Sequence, residues 1–231
     1  MKITTWNIRG LGSRRKQRNL GNRIKEEKYD IVFIQETKFS VEKIREKHRK
    51  WLNRYEYLEV KANKSIGGIL TLWNPQKFGV IDVEESRHHL SLIIQPVGDR
   101  KCYMITNVYD PQPMEDKLRL LTTREDIKKR YPTLPWILGG DFNMIKSLME
   151  KKGGTRTLGR DSIAFQNFLT NMKLVDMETN NGIFTWNNKR GGSTQVASKL
   201  DRFIISEELL LMGSSLTTLI LPFGGSYHWP I

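Results

Sequence analysis

Apolar residues come in short runs that stop at polar turn formers. Runs at 3–6, 31–34 and 136–138 have the length of buried strands. Further strands are expected at 55–60, 67–73, 80–84, 90–96, 101–109, 184–186, 200–205 and 216–221. Longer periodicity predicts helices. One spans 14–28, with Leu20 and Ile24 on its apolar stripe, and others span 118–130 and 161–172. A helix at 41–51 has Ser40 as its N-cap, and its alternating charges read as a solvated face. No repeat or low-complexity linker divides the chain, so one domain over 1–231 is expected. Strands outnumber helices, and the pattern predicts a mixed α+β fold.

The ends of the three strongest runs carry the chemistry. The first closes in Trp6-Asn7, the second in Gln35-Glu36-Thr37, and the third in Gly139-Gly140-Asp141-Phe142-Asn143. Each puts a compact carboxylate or amide at a strand tip, where a turn can face a substrate. Strand tips gathered in this way bring together ligands from distant parts of a chain.

Composition sharpens the picture. The net charge is +13 over 231 residues, and the pI is near 9.8. A chain this basic favours polyanions. Hydrophobic content of 38% and a mean hydropathy of −0.50 fit a soluble globular protein. No window has the apolar length of a membrane span, and the start lacks a secretory signal pattern. The single Cys102 excludes an internal disulfide, fits a reducing compartment, and is expected as a small buried hydrophobe. Adjacent His88 and His89 would point to opposite faces of a strand, which argues against a shared metal. His48 falls in the charged helix.

Together, Trp6-Asn7, Gln35-Glu36-Thr37, Asn107-Val108-Tyr109, Gly140-Asp141-Phe142-Asn143, Leu200-Asp201-Arg202 and Ser226-Tyr227-His228 resemble the endonuclease/exonuclease/phosphatase superfamily, which includes DNase I. Within it, Trp6-Asn7-Ile8-Arg9-Gly10, Phe184-Thr185-Trp186 and Ser198-Lys199-Leu200-Asp201 resemble the endonuclease domains of plant LINE-type non-LTR retrotransposons. The resemblance implies a DNase I-like four-layer α/β/β/α sandwich, and it implies that the family's closing strand lies past the last motif. It also implies a Mg2+-dependent DNA endonuclease, with Mn2+ able to substitute. Such an enzyme nicks duplex DNA at a retrotransposon target site and leaves a 3′ hydroxyl to prime reverse transcription. A reverse transcriptase in the same polypeptide and a nuclear, intracellular location follow by resemblance.

Residue roles follow on the same basis. Glu36 is the expected metal ligand, with Asn7 beside it. Asp141 would orient or deprotonate the attacking water, and Asn143 would hold that water or a phosphate oxygen. Tyr109 would offer its phenol to the phosphate. Asp201 would orient His228, raising its pKa so that the cation meets the transition state. Thr185, Ser198, Lys199, Arg202 and the 146–160 loop are expected to contact DNA, with Trp186 and Trp229 as candidates for stacking. The family's last motif is Ser-Asp-His, and here Tyr227 takes the place of the Asp. A phenol with an ordinary pKa of about 10 supplies no charge at neutral pH. That departure supports an alternative, a decayed copy that binds nucleic acid without cutting. A third reading, hydrolysis of a smaller phosphoester, fits the basic charge less well.

Overall fold

The computed structural model describes residues 1–38, 52–63, 67–155, 157–213 and 215–231. The helix expected at 41–51, its Ser40 cap and His48 lie outside the described residues.

Two sheets stack face to face. In the first, β1 (Ile3–Asn7) pairs in parallel with β2 (Ile31–Gln35), followed by β4 (Ile69–Trp73) and the edge strand β3 (Glu56–Val60). The second sheet has the order β10 (Leu174–Asp176), β13 (Asp201–Ser206), β8 (Trp136–Asp141), β7 (Tyr103–Tyr109), β6 (His89–Pro96) and β5 (Phe78–Ser86). The layer between the sheets is filled by Ile31, Phe33, Ile69 and Trp73 from the first, and by Leu90, Leu92, Ile105, Ile137 and Phe203 from the second. Strands buried on both faces explain why these runs read as continuous apolar stretches instead of alternating ones.

Helices cover both outer faces. α1 (Arg14–Glu27) lays Leu20 and Ile24 against Trp6, Val32, Ile34 and Leu72 of the first sheet. α2 (Met114–Arg130) and α3 (Arg160–Asn171) bring Leu121, Ile127, Phe165 and Phe168 onto Met104, Trp136, Leu138 and Ile204 of the second. The result is the α/β/β/α sandwich implied by the resemblance. Among the described residues, no helix is long and apolar enough to cross a membrane.

The glycine pair in β8 is set by close approach. A Cβ on Gly139 would lie 2.5 Å from the Phe203 ring and 2.9 Å from Phe33, so this position lets the two sheets meet. Gly140, at φ +152°, would place a Cβ 2.0 Å from the Val108 carbonyl of β7. Both glycines are inside the strand, which therefore runs three residues past its expected end and carries Asp141 in the ladder.

Several expectations are corrected. The strand at 216–221 does not form; Thr218 makes a single bridge to Thr179. The backbone there is satisfied instead by the Asn181 side chain, which accepts from Ile220 N–H at 2.7 Å and donates to its carbonyl at 2.8 Å. α2 begins four residues before its expected start at 118, after an extended Pro113 and with Glu115 and Asp116 favourably placed in its first turn. Short strands β9 (Lys151–Lys152), β11 (Trp186–Asn187) and β12 (Ala197–Ser198) form a third small sheet, and α4 (Glu207–Leu211) follows β13. Elements of two to five residues are too short to show a period. Cys102 is a free, partly exposed thiol just before β7 and not a core residue.

Candidate active site

Parallel and antiparallel registers gather the strand tips. Asn7 ends β1 opposite Gln35 of β2. Tyr109, the last residue of β7, is level with Asp141, the last of β8. β13 runs antiparallel to β8, so its first residue, Asp201, faces Asp141. The remaining residue, His228, arrives by an isolated bridge to Trp186. Glu36, Asn7, Tyr109, Asp141, Asn143, Asp201 and His228 therefore converge at one end of the two sheets.

Asn7 is the hub. Its Nδ2 donates to Glu36 Oε1 at 3.0 Å and to Asp141 Oδ2 at 2.8 Å, while its Oδ1 accepts from Arg9 N–H at 3.0 Å. The Asn143 N–H donates to Asp141 Oδ1 at 3.0 Å, and the Asn143 amide is held by the Asp110 carbonyl and by Gln112. His228 Nδ1 lies 2.9 Å from Asp201 Oδ2, and its Nε2 lies 3.8 Å from Asp141 Oδ2. The segment carrying His228 is locked to β1. Ser226 Oγ donates to the Asn7 carbonyl at 2.7 Å, and the Trp6 indole donates to the His228 carbonyl at 3.2 Å.

Backbone strain concentrates here. Of the seven described non-glycine residues with positive φ, four (Arg9, Glu36, Lys38 and Asn143, at +48° to +51°) are here, while Lys28, Lys173 and Lys189 are elsewhere. For residues other than glycine this costs about 1 kcal/mol or more each. The surrounding hydrogen bonds hold these strained turns at the rim of the cluster.

The electrostatics separate the acids. Burial pushes Asp141 up to about 7, reinforced by the charge of Asp201 and opposed by His228, Asn7 and the Asn143 N–H. Burial also acts to raise Glu36, but hydrogen bonds from Asn7 and Lys38, with the charges of Lys38 and Arg9, outweigh it and hold the carboxyl below its ordinary range. For His228, burial favours the neutral ring, yet Asp201, Asp141 and Glu36 prevail and raise the pKa. Tyr109 is pushed up by burial and by the charges of Glu36 and Asp141, so its phenol keeps its proton. The group thus holds an anion, an acid poised near neutrality, an imidazole biased toward its cation and a neutral O–H donor.

Among the described residues, one grouping of three and the single carboxylate of Glu36 could serve a divalent cation. Asp141, Asp201 and His228 offer ligand atoms within 4.8 Å of one another. These atoms are buried and already engaged: both Asp201 oxygens face His228, and both Asp141 oxygens accept amides. Glu36 is the better fit. It is charged, half-buried at the rim, and paired with Lys38 at 2.9 Å, where a cation is already stabilised. A hard cation that keeps several waters needs one or two such oxygens.

The residues expected on DNA lie elsewhere. Thr185, Ser198, Lys199 and Arg202 are all buried. Thr185 Oγ1 accepts the N–H groups of Leu200 and Asp201 at 3.0 and 2.9 Å. Arg202 donates to Glu150, Asp176 and the Met144 carbonyl at 2.7–2.8 Å, and Lys199 binds Asp176 at 3.1 Å. This corrects the sequence expectation: these side chains face inward and brace the Asp201 strand against the turn after Asn143. Tyr227, by contrast, is 42% exposed, with the Arg9 guanidinium 4.6 Å from its ring centroid. His88 and His89 share no site, bonding the Tyr109 carbonyl and Ser86 respectively.

Sequence reasoning placed Gln35 and Asn107 in the motifs but gave them no role. Gln35 and Asn107 are fully buried and bond across the sheets beneath the cluster at 2.6 Å. The signal was present, since each is a polar residue inside an otherwise apolar run.

The sequence matches the Endonuclease/Exonuclease/phosphatase family over residues 4–228. A comparison with curated protein sequences finds no match. Among solved structures, the chain is similar to an AP endonuclease from Leishmania major (TM-score 0.78, 16% identity, 99% of this chain and 85% of that one). It is also similar to a 3'-5' exonuclease from Neisseria meningitidis (0.78, 18%, 100% and 97%). The endonuclease domain of TRAS1, a telomere-specific non-LTR retrotransposon, superposes at 0.67 with 16% identity, covering 90% and 86%. At such identities the structures speak for the fold, while the match over nearly the whole sequence speaks for the family. With its motifs brought to one place by that fold, the chain belongs to the endonuclease/exonuclease/phosphatase family.

Proposed function

We propose that this domain is a Mg2+-dependent endonuclease that nicks duplex DNA. The observation that supports it best is the convergence of Glu36, Asn7, Asp141, Asn143 and His228, with their acids held at different protonation states. The charge of +13 favours a nucleic-acid substrate over a small phosphoester.

Glu36 would hold the metal, with Mn2+ able to substitute; when bound, the ion supplies charge stabilisation at the scissile phosphate. The chain's own groups do the rest. Asp141, near neutrality, accepts a proton from the attacking water while Asn143 holds the water or a non-bridging oxygen. A new P–O bond forms from that water, the P–O3′ bond breaks, and the departing oxygen takes a proton from solvent to end as a 3′ hydroxyl, leaving the phosphate on the 5′ side. His228, cationic through Asp201, and the Tyr109 phenol stabilise the charge that develops on the phosphoryl oxygens.

Target-site nicking that primes reverse transcription is the biological form of this proposal, with the polymerase in the same natural polypeptide and the work done in the nucleus. The similarity to TRAS1 supports it. The test is relaxation of supercoiled plasmid with Mg2+ against EDTA, with Glu36→Ala as the blank. Nicking that requires Mg2+ and Glu36 upholds the proposal. Binding without nicking in either protein favours the alternative, a copy impaired by Tyr227 that holds nucleic acid without cutting it.

A further inference from the structure

A fully buried ion pair lies outside the catalytic cluster and against its Asp141-Phe142-Asn143 turn. Arg124 is on the buried stripe of α2, between Leu121 and Ile127. Its Nη1 donates to Asp110 Oδ2 at 2.9 Å and its Nη2 donates to Asp110 Oδ1, so the guanidinium grips both oxygens. Neither side chain reaches solvent. Arg124 Cζ is also 5.7 Å from the ring centroid of Phe142, the residue between Asp141 and Asn143.

Stability gives little reason for this pair. Two buried charges lose their hydration, and apolar residues of similar volume commonly hold a core as well or better. The Arg124 Nε is buried too, with no hydrogen-bond partner among the described residues. Leu121 and Ile127 show what the same face of α2 uses where only packing is needed.

What the pair does hold is a piece of backbone. The Asp110 N–H donates to the Asp141 carbonyl at 2.8 Å, and the Asp110 carbonyl accepts the Asn143 side-chain amide at 2.6 Å. Gln112 donates to the other end of that amide, Asn143 Oδ1, at 2.5 Å. Asn143 sits at φ +49°, a conformation that its surroundings must impose. The Nδ2 end of its side chain is therefore fixed by a carbonyl whose own residue is clamped to α2.

We infer that Arg124 is a positioning residue for Asn143: its fork on Asp110 fixes the carbonyl that orients the Asn143 amide in the catalytic cluster. What Asn143 does there rests on the nuclease reading above. Arg124 touches no reacting atom and acts only through Asp110. The fork matters because paired N–H bonds set an angle as well as a distance.

The experiment removes the pair without stranding a buried charge. Arg124→Met breaks it, and Asp110→Leu combined with Arg124→Met replaces both partners by apolar groups. The single variant should lower the urea midpoint, and the double replacement should recover it. Nicking should not recover with it. At saturating Mg2+, kcat of the double replacement should stay about a hundredfold down, since small misplacements near reacting atoms cost rates of that order. KM for plasmid should change less than about twofold, because Arg124 meets no DNA. Arg124→Lys should fall between, keeping the charge without the fork.

A second readout is solvent exchange of the Asn143 side-chain amide by NMR, its signal identified by its loss in Asn143→Ala. Loosening the Asp110 carbonyl should speed that exchange about tenfold, the factor that one net hydrogen bond represents. Nicking that returns with the midpoint, or an exchange rate that the double replacement leaves unchanged, overturns the inference while the nuclease proposal stands. Should the double replacement fail to fold, Arg124→Lys carries both readouts, and wild-type kcat and exchange there overturn the inference. If the unaltered protein does not nick, the nuclease proposal falls, and the exchange rate alone decides whether Arg124 positions Asn143.

Discussion

Gln35 on the first sheet donates its side-chain amide to Asn107 Oδ1 on the second at 2.6 Å, beside the cluster of Asn7, Glu36 and Asp141. Asn107 in turn donates to the Leu70 carbonyl at 3.0 Å and to Thr71 Oγ1 at 3.2 Å. Both amides are fully buried. Asn107→Ala would take one acceptor from the Gln35 amide, which keeps only Thr5 Oγ1 at 2.8 Å, and would remove a donor from the Leu70 carbonyl and Thr71 Oγ1 in a closed layer. Unsatisfied groups of this kind cost about 1–3 kcal/mol each. Urea unfolding should show a loss of roughly 3 kcal/mol, and an unchanged midpoint would refute the tie.

His89 should make the fold acid-sensitive. Burial, then the charges of Arg124, His88 and Arg130, lower its pKa to about 4 from 6.5. It remains neutral in the folded state while the unfolded chain takes up a proton below about pH 6.5. Stability due to His89 is therefore full above that pH and lost on acidification. Linkage puts the loss at about 2 kcal/mol between pH 7 and pH 5. His89→Gln should flatten this limb, as measured by unfolding at both pH values; an equally steep limb in the variant would count against the assignment.

Tyr227→Asp should raise nicking. The phenol lies beside Arg9, one of the cations that hold Glu36 ionised. A carboxylate there makes the rim more negative, so a divalent cation should bind more tightly. Supporting groups near a metal commonly change affinity by about 10–100-fold. Titrating Mg2+ in the plasmid assay should show half-maximal nicking at roughly tenfold lower metal. No gain at any Mg2+ level would mean that Tyr227 is not what limits this site.

Arg202 provides a test of structure against contact. Arg202→Met leaves Glu150 and Asp176 in the interior without their guanidinium partner. Breaking buried pairs in this way costs about 3–5 kcal/mol. The expected result is a large drop in unfolding free energy, with Arg202→Lys recovering only part of it because an ammonium cannot copy the fork. If instead stability holds and only DNA affinity falls, Arg202 reaches the polymer after all.

DNA binding should weaken steeply with salt. A surface with net charge +13 releases counterions from each phosphate it neutralises. A plot of log K against log salt should fall with a clear negative slope for unrelated duplex sequences alike. A flat plot would remove nucleic acid as the substrate.

The parts of this molecule that were legible in its sequence are those where one residue type answers to one local demand. Asn7, Glu36 and Asp141 stood out because a polar group interrupted a buried run, and the fold placed them together. Lys199 and Arg202 misled for the opposite reason. A basic side chain in a basic protein suggests a phosphate contact, and sequence does not reveal that Asp176 and Glu150, from separate elements, wait for it in the interior. The small third sheet was illegible as well. Its strands are two residues long, so their pairing comes from long-range register and not from local pattern.

The bond from Ser226 to the Asn7 carbonyl spans 219 positions of sequence. A ribosome releases Asn7 early, and this partner emerges only 219 positions later. The closing contact is strongly non-local, and contacts of that kind pay a large loop-closure cost before they form. A growing chain can therefore build much of its sandwich while lacking the histidine that completes the cluster of Glu36, Asn7 and Asp141. Synthesis from one end to the other would hold the Asn7 cluster open until the segment from Ser226 to His228 has been made.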